Sequence, residues 1–155
     1  VIIREDLIGN ARQECPSITD YQQVADADSM YNTPPCWNIY MCKLMLEWIK
    51  TTGGMEAMKE RNLKKANILY DYIDSTDFYI NTVRKEDRSM MNVTFVTPNE
   101  DLNAKFVTEA SAAGFVNLKG HRSVGGMRAS IYNSMPIEGV EKLVEFMKEF
   151  EEKNR

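Results

Sequence analysis

His121, Arg122 and Arg128, three groups able to carry positive charge, surround a glycine pair in Lys119-Gly120-His121-Arg122-Ser123-Val124-Gly125-Gly126-Met127-Arg128. An arginine offers a planar fork that matches a carboxylate or phosphate through two hydrogen bonds. His121 adds a third donor, and the glycines let backbone come close to a ligand or adopt positive φ. The chemistry such a stretch suits is the holding of a small, doubly anionic molecule. The same residues also describe a plain turn between two strands with solvated arginines.

A second stretch, Ser29-Met30-Tyr31-Asn32-Thr33-Pro34-Pro35, precedes an apolar helix. Helix N-termini present unpaired amides and the positive end of the dipole, which suits phosphate. Asn32 and Thr33 add a carboxamide and a hydroxyl. An ordinary cap and interhelical loop is the alternative reading. The ten methionines and two tryptophans read as core filler rather than as a binding surface. The acids of 138–152 fall on the solvent side of an amphipathic helix, and Asp26 and Asp28 lie in a flexible loop.

The elements that must position these stretches follow from periodicity. Val1 to Ile3 reads as the end of a buried strand, 5–12 as a short helix stopped by Pro16, and 16–33 as loop. Thr33 caps a helix in which Trp37, Tyr40, Met41, Leu44, Met45 and Trp48 form one broad stripe packed on several neighbours. Gly53-Gly54 ends it, and a second helix follows from 55 to 74. Strands are expected at 78–83, 91–95, 115–118 and 127–132, with one helix following Pro98-Asn99, holding Leu102, Phe106, Val107 and Ala110 and broken by Gly114, another at about 137–151, and a fraying tail from Lys148 on. The order β-β-α-β-β-α describes a small α+β layer, a mostly antiparallel sheet covered by helices. The boundary is placed at the glycine pair, dividing 1–53 from 54–155; a cut inside the long helix is the alternative.

At 155 residues the chain is one domain in size and buries roughly two-thirds of its unfolded surface. A net charge of −4 without a basic run argues against a nucleic-acid or anionic-membrane surface, and no apolar stretch reaches bilayer length. Cys15, Cys36 and Cys42 with a single histidine leave few ligands for a metal site. Buried free thiols in a reducing, cytoplasmic setting are expected.

Met30-Tyr31-Asn32-Thr33-Pro34-Pro35 and the run from Gly120 through Arg128 to Asn133 resemble signature segments of the phosphoserine aminotransferase family. The similarity extends to Val1–Leu7, Glu14-Cys15-Pro16-Ser17 and Met135-Pro136, and so spans nearly the whole chain. It implies the C-terminal portion of a fold type I transferase that uses pyridoxal phosphate. In that fold a large cofactor domain, whose tail and interdomain helix would be 1–53, carries a small C-terminal domain, here 54–155. The implied whole protein is a cytoplasmic homodimer acting in serine biosynthesis, and in some members pyridoxine biosynthesis. The implied reaction exchanges an amino group between phosphoserine and 2-oxoglutarate, giving phosphohydroxypyruvate and glutamate.

Carried over by position, Asn32 and Thr33 match the pair that reaches the phosphate of the neighbouring subunit's cofactor. His121 and Arg122 match residues around the substrate's phosphate or side-chain carboxylate, and Arg128 matches the grip on its α-carboxylate. The lysine that carries the cofactor lies upstream of Val1 by this resemblance; the first lysine here, Lys43, sits in an apolar helix and does not match it. The chain alone is therefore expected to be a fragment without turnover, with apolar surface laid bare. Another acidic-substrate aminotransferase and a free-standing anion-binding α+β domain are the competing readings.

Overall fold

The structure, a computed structural model, describes residues 1–155 and divides into two compact units, Val1–Trp48 and Ile49–Arg155. The first holds short 3₁₀ turns at Glu5–Leu7 and Ser17–Thr19, helix α1 (Tyr21–Asp26) and most of helix α2 (Cys36–Thr51). The Asp20 carboxylate accepts from the Gln22 amide and starts α1, where the sequence suggested only loop. Val1–Ile3 forms no strand, because no second segment pairs with it, and the helix expected over 5–12 shrinks to one 3₁₀ turn.

Helix α2 begins later than its Thr-Pro-Pro start implied. Ile39 N–H bonds to the Pro35 carbonyl at 3.1 Å, so Pro35, not Thr33, stands at the cap. Most of the apolar stripe of α2 lies open: Trp37 is 71% exposed, and Tyr40, Met41, Leu44 and Met45 are exposed as well, while Trp48 is half-buried. Met41, Met45 and Met55 are therefore not core filler here, although Met58, Met127 and Met147 are. All three cysteines are free, Cys36 and Cys42 exposed and Cys15 half-buried, so the expectation of buried thiols fails.

In the second unit, helix α3 (Gly54–Ser75) precedes strand β1 (Asn92–Phe95), helix α4 (Glu100–Ala112), strand β2 (Met127–Ser130) and helix α5 (Ile137–Asn154). Asn99 caps α4 by accepting from the Leu102 amide at 2.9 Å. The strands pair antiparallel, Val93 opposite Ala129 and Thr94 opposite Arg128. Of the outer segments expected as strands, 78–83 is reduced to one bridge, Ile80 to Val96, and 115–118 forms none, the nearest bridge joining Lys119 to Met127. The fold is thus mixed α and β around a small antiparallel sheet.

Period-two alternation sends Val93, Phe95, Met127 and Ala129 into the core and leaves Asn92, Thr94, Arg128 and Ser130 on the other face. The core is largely aromatic. Phe106 packs edge-on against Tyr79, Phe95, Phe146 and Phe150 with centroids 5.0 to 6.0 Å apart. Each such ring contributes about 1.5–3 kcal/mol through burial alone.

The tail of α5 does not fray. Phe150 and Glu151 are buried, and Glu151 accepts from Tyr72 Oη at 2.7 Å, Thr76 Oγ1 at 2.6 Å and the Arg155 guanidinium. One acid expected on the solvent side is therefore a buried hub. Burial pushes its carboxyl up, but the three donors outweigh that and the net shift is downward.

Candidate functional site

The glycine-rich stretch closes as a short hairpin. Gly120 N–H bonds to the Gly126 carbonyl at 2.8 Å and Arg128 N–H to the Leu118 carbonyl at 2.7 Å. The stems approach so closely that a Cβ on residue 120 would lie 2.0 Å from the Gly125 carbonyl oxygen. Gly126, at φ +61°, presses on Phe95 and Val96, where a Cβ would again collide. These two glycines let the loop fold over tightly enough to present its side chains outward.

At the tip, His121 is oriented by Ser123. The Ser123 N–H donates to Nδ1 at 3.3 Å and its hydroxyl lies 2.7 Å from the same nitrogen. A backbone N–H can only donate, so Nδ1 accepts and the ring proton resides on Nε2. His121 and Arg122 border a cavity of about 530 Å³ with Lys119, Asn103 and Glu100. His121, Arg122 and Lys119 form no ion pair, so the cavity has three uncommitted cation-forming groups against one acid.

Arg128 lies outside that cavity, on β2 in the hairpin stem and opposite Thr94. It is half-buried, no carboxylate pairs with it, and its Nε is buried without a hydrogen-bond partner. Arg88 Nε is likewise unpartnered, but the Arg88 fork closes on Asp74, whereas no carboxylate of the chain closes the fork of Arg128. Around it the polar face of the sheet is ordered: Ser130 and Tyr132 hydroxyls both lie 3.3 Å from Asn92 Oδ1.

Asn32 and Thr33 are exposed in the first unit, ahead of α2. The helix end offers fewer amides than expected, since Pro34 and Pro35 have none and Cys36 N–H turns back to the Pro34 carbonyl at 2.8 Å. Any anion held there would rely on the Asn32 and Thr33 side chains. The structure thus brings His121, Arg122 and Arg128 onto one hairpin and its strand, and places Asn32 and Thr33 in the other unit.

Another cleft, about 620 Å³ between the C-terminal turns of α3 and α5, is bordered by Asp77, Glu151 and Glu152 against Lys148 and Arg155, and Arg155 is already paired with Asp77 and Glu151. Sequence reasoning missed Ser123, whose two-residue offset from the only histidine was the available signal. It also missed Asn62 and Lys65, buried polar residues on the core face of α3 in step with Met58, Leu69 and Ile73.

A family model described as aminotransferase class-V matches residues 1–143. The chain belongs to the class-V aminotransferase family. Among class-V relatives, a phosphoserine aminotransferase of Pasteurella multocida is 57% identical over 155 residues, covering 100% of this chain and 43% of its own length. One from Haemophilus influenzae is 58% identical over 154 residues, covering 99% and 42%. The solved phosphoserine aminotransferase of Bacillus circulans subsp. alkalophilus aligns at TM-score 0.91 and 45% identity over 99% of this chain and 43% of that one. A pyridoxal-phosphate-bound phosphoserine aminotransferase from Trichomonas vaginalis aligns at TM-score 0.82 and 40% identity over 89% and 40%. The chain spans somewhat under half the length of these class-V relatives.

Proposed function

We propose that this chain supplies the anion grips of a longer phosphoserine aminotransferase, a homodimeric, cytoplasmic enzyme of serine biosynthesis. Its reaction exchanges an amino group between phosphoserine and 2-oxoglutarate, giving phosphohydroxypyruvate and glutamate. The observation that carries this reading is the Arg128 guanidinium, half-buried on the sheet and without a carboxylate partner. The names of the relatives support it.

The residues present fit pyridoxal phosphate. Asn32 and Thr33 are exposed neutral donors with no hydrogen bond elsewhere in the chain, suited to a phosphate. Bound there, the cofactor supplies the electron sink for transamination. Arg128 takes the substrate's α-carboxylate in its fork. His121, through Nε2–H, and Arg122 hold the phosphate or the far carboxylate. Anchoring both ends fixes one orientation of a flexible substrate, and the orientation accelerates the reaction. The lysine that carries the cofactor belongs to the preceding part of the longer enzyme.

The test joins this chain to the preceding segment of its Pasteurella multocida relative and follows glutamate formation from phosphoserine and 2-oxoglutarate. Activity that falls about 10²–10³-fold in kcat/KM on Arg128→Ala is expected, the usual scale for removing one partner of a desolvated charge pair. Unchanged kcat/KM in that variant would sink the carboxylate grip. Activity only with a different acidic amino acid would keep the grip and move the substrate.

A further inference from the structure

Among the buried side chains of the second unit, one is a lysine. Lys65 is fully enclosed on the core face of α3, in step with Leu69 and Ile73, and forms no ion pair with a carboxylate. Its Nζ donates to the Ile131 carbonyl at 3.1 Å and to the Tyr132 carbonyl at 2.6 Å. One turn earlier on the same face, buried Asn62 donates through Nδ2 to Asn133 Oδ1 at 2.8 Å. Two polar side chains of one helix thus take hold of three consecutive residues, 131 to 133.

Burying an ammonium group is costly, and an apolar residue would fill the space without that cost. Burial, with Arg61 nearby, pushes the Lys65 pKa down. What the two donors do is fix where β2 ends. The grip falls on the residue next to Ser130, the last of β2, and Arg128 lies three residues before the first gripped carbonyl. From the other side, Ile131 N–H bonds to the Met91 carbonyl at 2.9 Å, and Tyr132 and Ser130 reach Asn92. Upstream, Arg128 N–H is held by Leu118. Without the α3 donors, the backbone of the downstream end would be held by the two-stranded sheet, the buried Ile131 side chain and the turn that Met135 N–H closes on the Tyr132 carbonyl.

We infer that Lys65, assisted by Asn62, is a positioning residue for the anion grip: it clamps residues 131–133 so that Arg128 is presented at a fixed height and angle. The inference rests on the reading of Arg128 as the α-carboxylate grip. A guanidinium fork must meet a carboxylate along two parallel bonds, so displacement of its strand weakens binding even though Lys65 never touches substrate.

The experiment uses the longer enzyme described above, with cofactor bound, and compares Lys65→Met, Asn62→Ala, Arg128→Ala and the double variant Lys65→Met/Arg128→Ala. Methionine keeps an unbranched stem and removes the donors; Asn62→Ala is the milder change should Lys65→Met not fold. Leu69→Ala, a core truncation on the same helix, controls for general destabilisation. Two readouts are taken: KM and kcat for glutamate, and amide exchange over residues 127–133.

The clamp predicts that Lys65→Met raises KM about tenfold, a coupling of ordinary size between linked residues, and speeds exchange over 127–133. Leu69→Ala should leave KM as it was, and with Arg128 already alanine the Lys65 change should add little. Asn62→Ala should show the same pattern at smaller amplitude. Independent, multiplying effects of Lys65 and Arg128 would overturn the inference, as would a KM response shared by Leu69→Ala. Should Arg128→Ala itself leave KM unaltered, the carboxylate reading fails; unaltered exchange over 127–133 in Lys65→Met then overturns the clamp as well, while faster exchange confined to that segment upholds it.

Discussion

The two units carry similar apolar patterns and make opposite use of them. No residue from Val1 to Thr51 is buried, although α2 holds a continuous stripe of Trp37, Tyr40, Met41, Leu44 and Met45. From Met58 onward the same kind of stripe on α3 and α5 meets the sheet and α4, and it forms a closed core. Amphipathic periodicity therefore states what a segment is able to bury, not what it buries within a given chain. Stability in this chain should reside in residues 49–155, and the contrast is open to direct attack.

The largest effect is expected from Phe106→Ala. Its ring is fully buried and meets four others, so truncation should cost about 3–5 kcal/mol in urea unfolding. A cost near that of a surface substitution would mean that the aromatic cluster is not where the stability lies. Next comes Glu151→Gln, which removes the charge that Tyr72, Thr76 and Arg155 all address and should cost about 1–3 kcal/mol. If that variant were neutral, the C-terminal turn of α5 would be an ornament on the second unit rather than part of its closure.

Acid provides a third, smaller probe of the same contrast. Hydrogen bonds from Arg88, opposed by burial and aided by Lys85, hold the Asp74 carboxyl down at about 2, below its ordinary 3.8. The folded chain therefore binds this proton less readily than the unfolded one. The resulting stabilisation is complete above the ordinary value and is lost as pH falls from about 4 toward 2. Glu151, also shifted downward, acts with the same sign. Unfolding midpoints between pH 5 and pH 2 should fall more steeply in the parent than in Asp74→Asn; parallel curves would refute the assignment.

Much of the second unit was legible in the sequence because its signals are local. The alternation through Val93 and Phe95 and the stripe of α5 appear where periodicity placed them. The strands at 78–83 and 115–118 were over-read, since an apolar run does not reveal how many partners its backbone will find; the first keeps a single bridge at Ile80, and the second leaves only one just past its end, at Lys119. The first unit was misread for the converse reason. Asp20 caps a short helix inside a stretch rich in turn formers, and the Thr-Pro-Pro signal was displaced by two residues because proline lacks the amide a cap would satisfy. At the site, the hairpin's cations were visible by type and spacing. Ser123 and Lys65 were not, because their roles depend on which nitrogen or carbonyl the fold brings near them.

The smallest effect is also the one that bears most closely on why the units differ. Trp37→Ala removes the most exposed ring of α2, and in this chain it should move stability by no more than about 0.5 kcal/mol, the scale of surface substitutions. In the longer enzyme the same change should cost several times as much, because an uninterrupted apolar stripe of this width is uncommon on a finished surface and gains stability only when covered. Paired urea titrations of the two proteins, each with and without the substitution, give the difference directly. A neutral result in both would mean that α2 stays bare in the longer enzyme too, leaving its stripe without a structural role. A large cost already in the 155-residue chain would show that Trp37 is protected in solution, and the division between a core-bearing and a coreless unit would have to be redrawn.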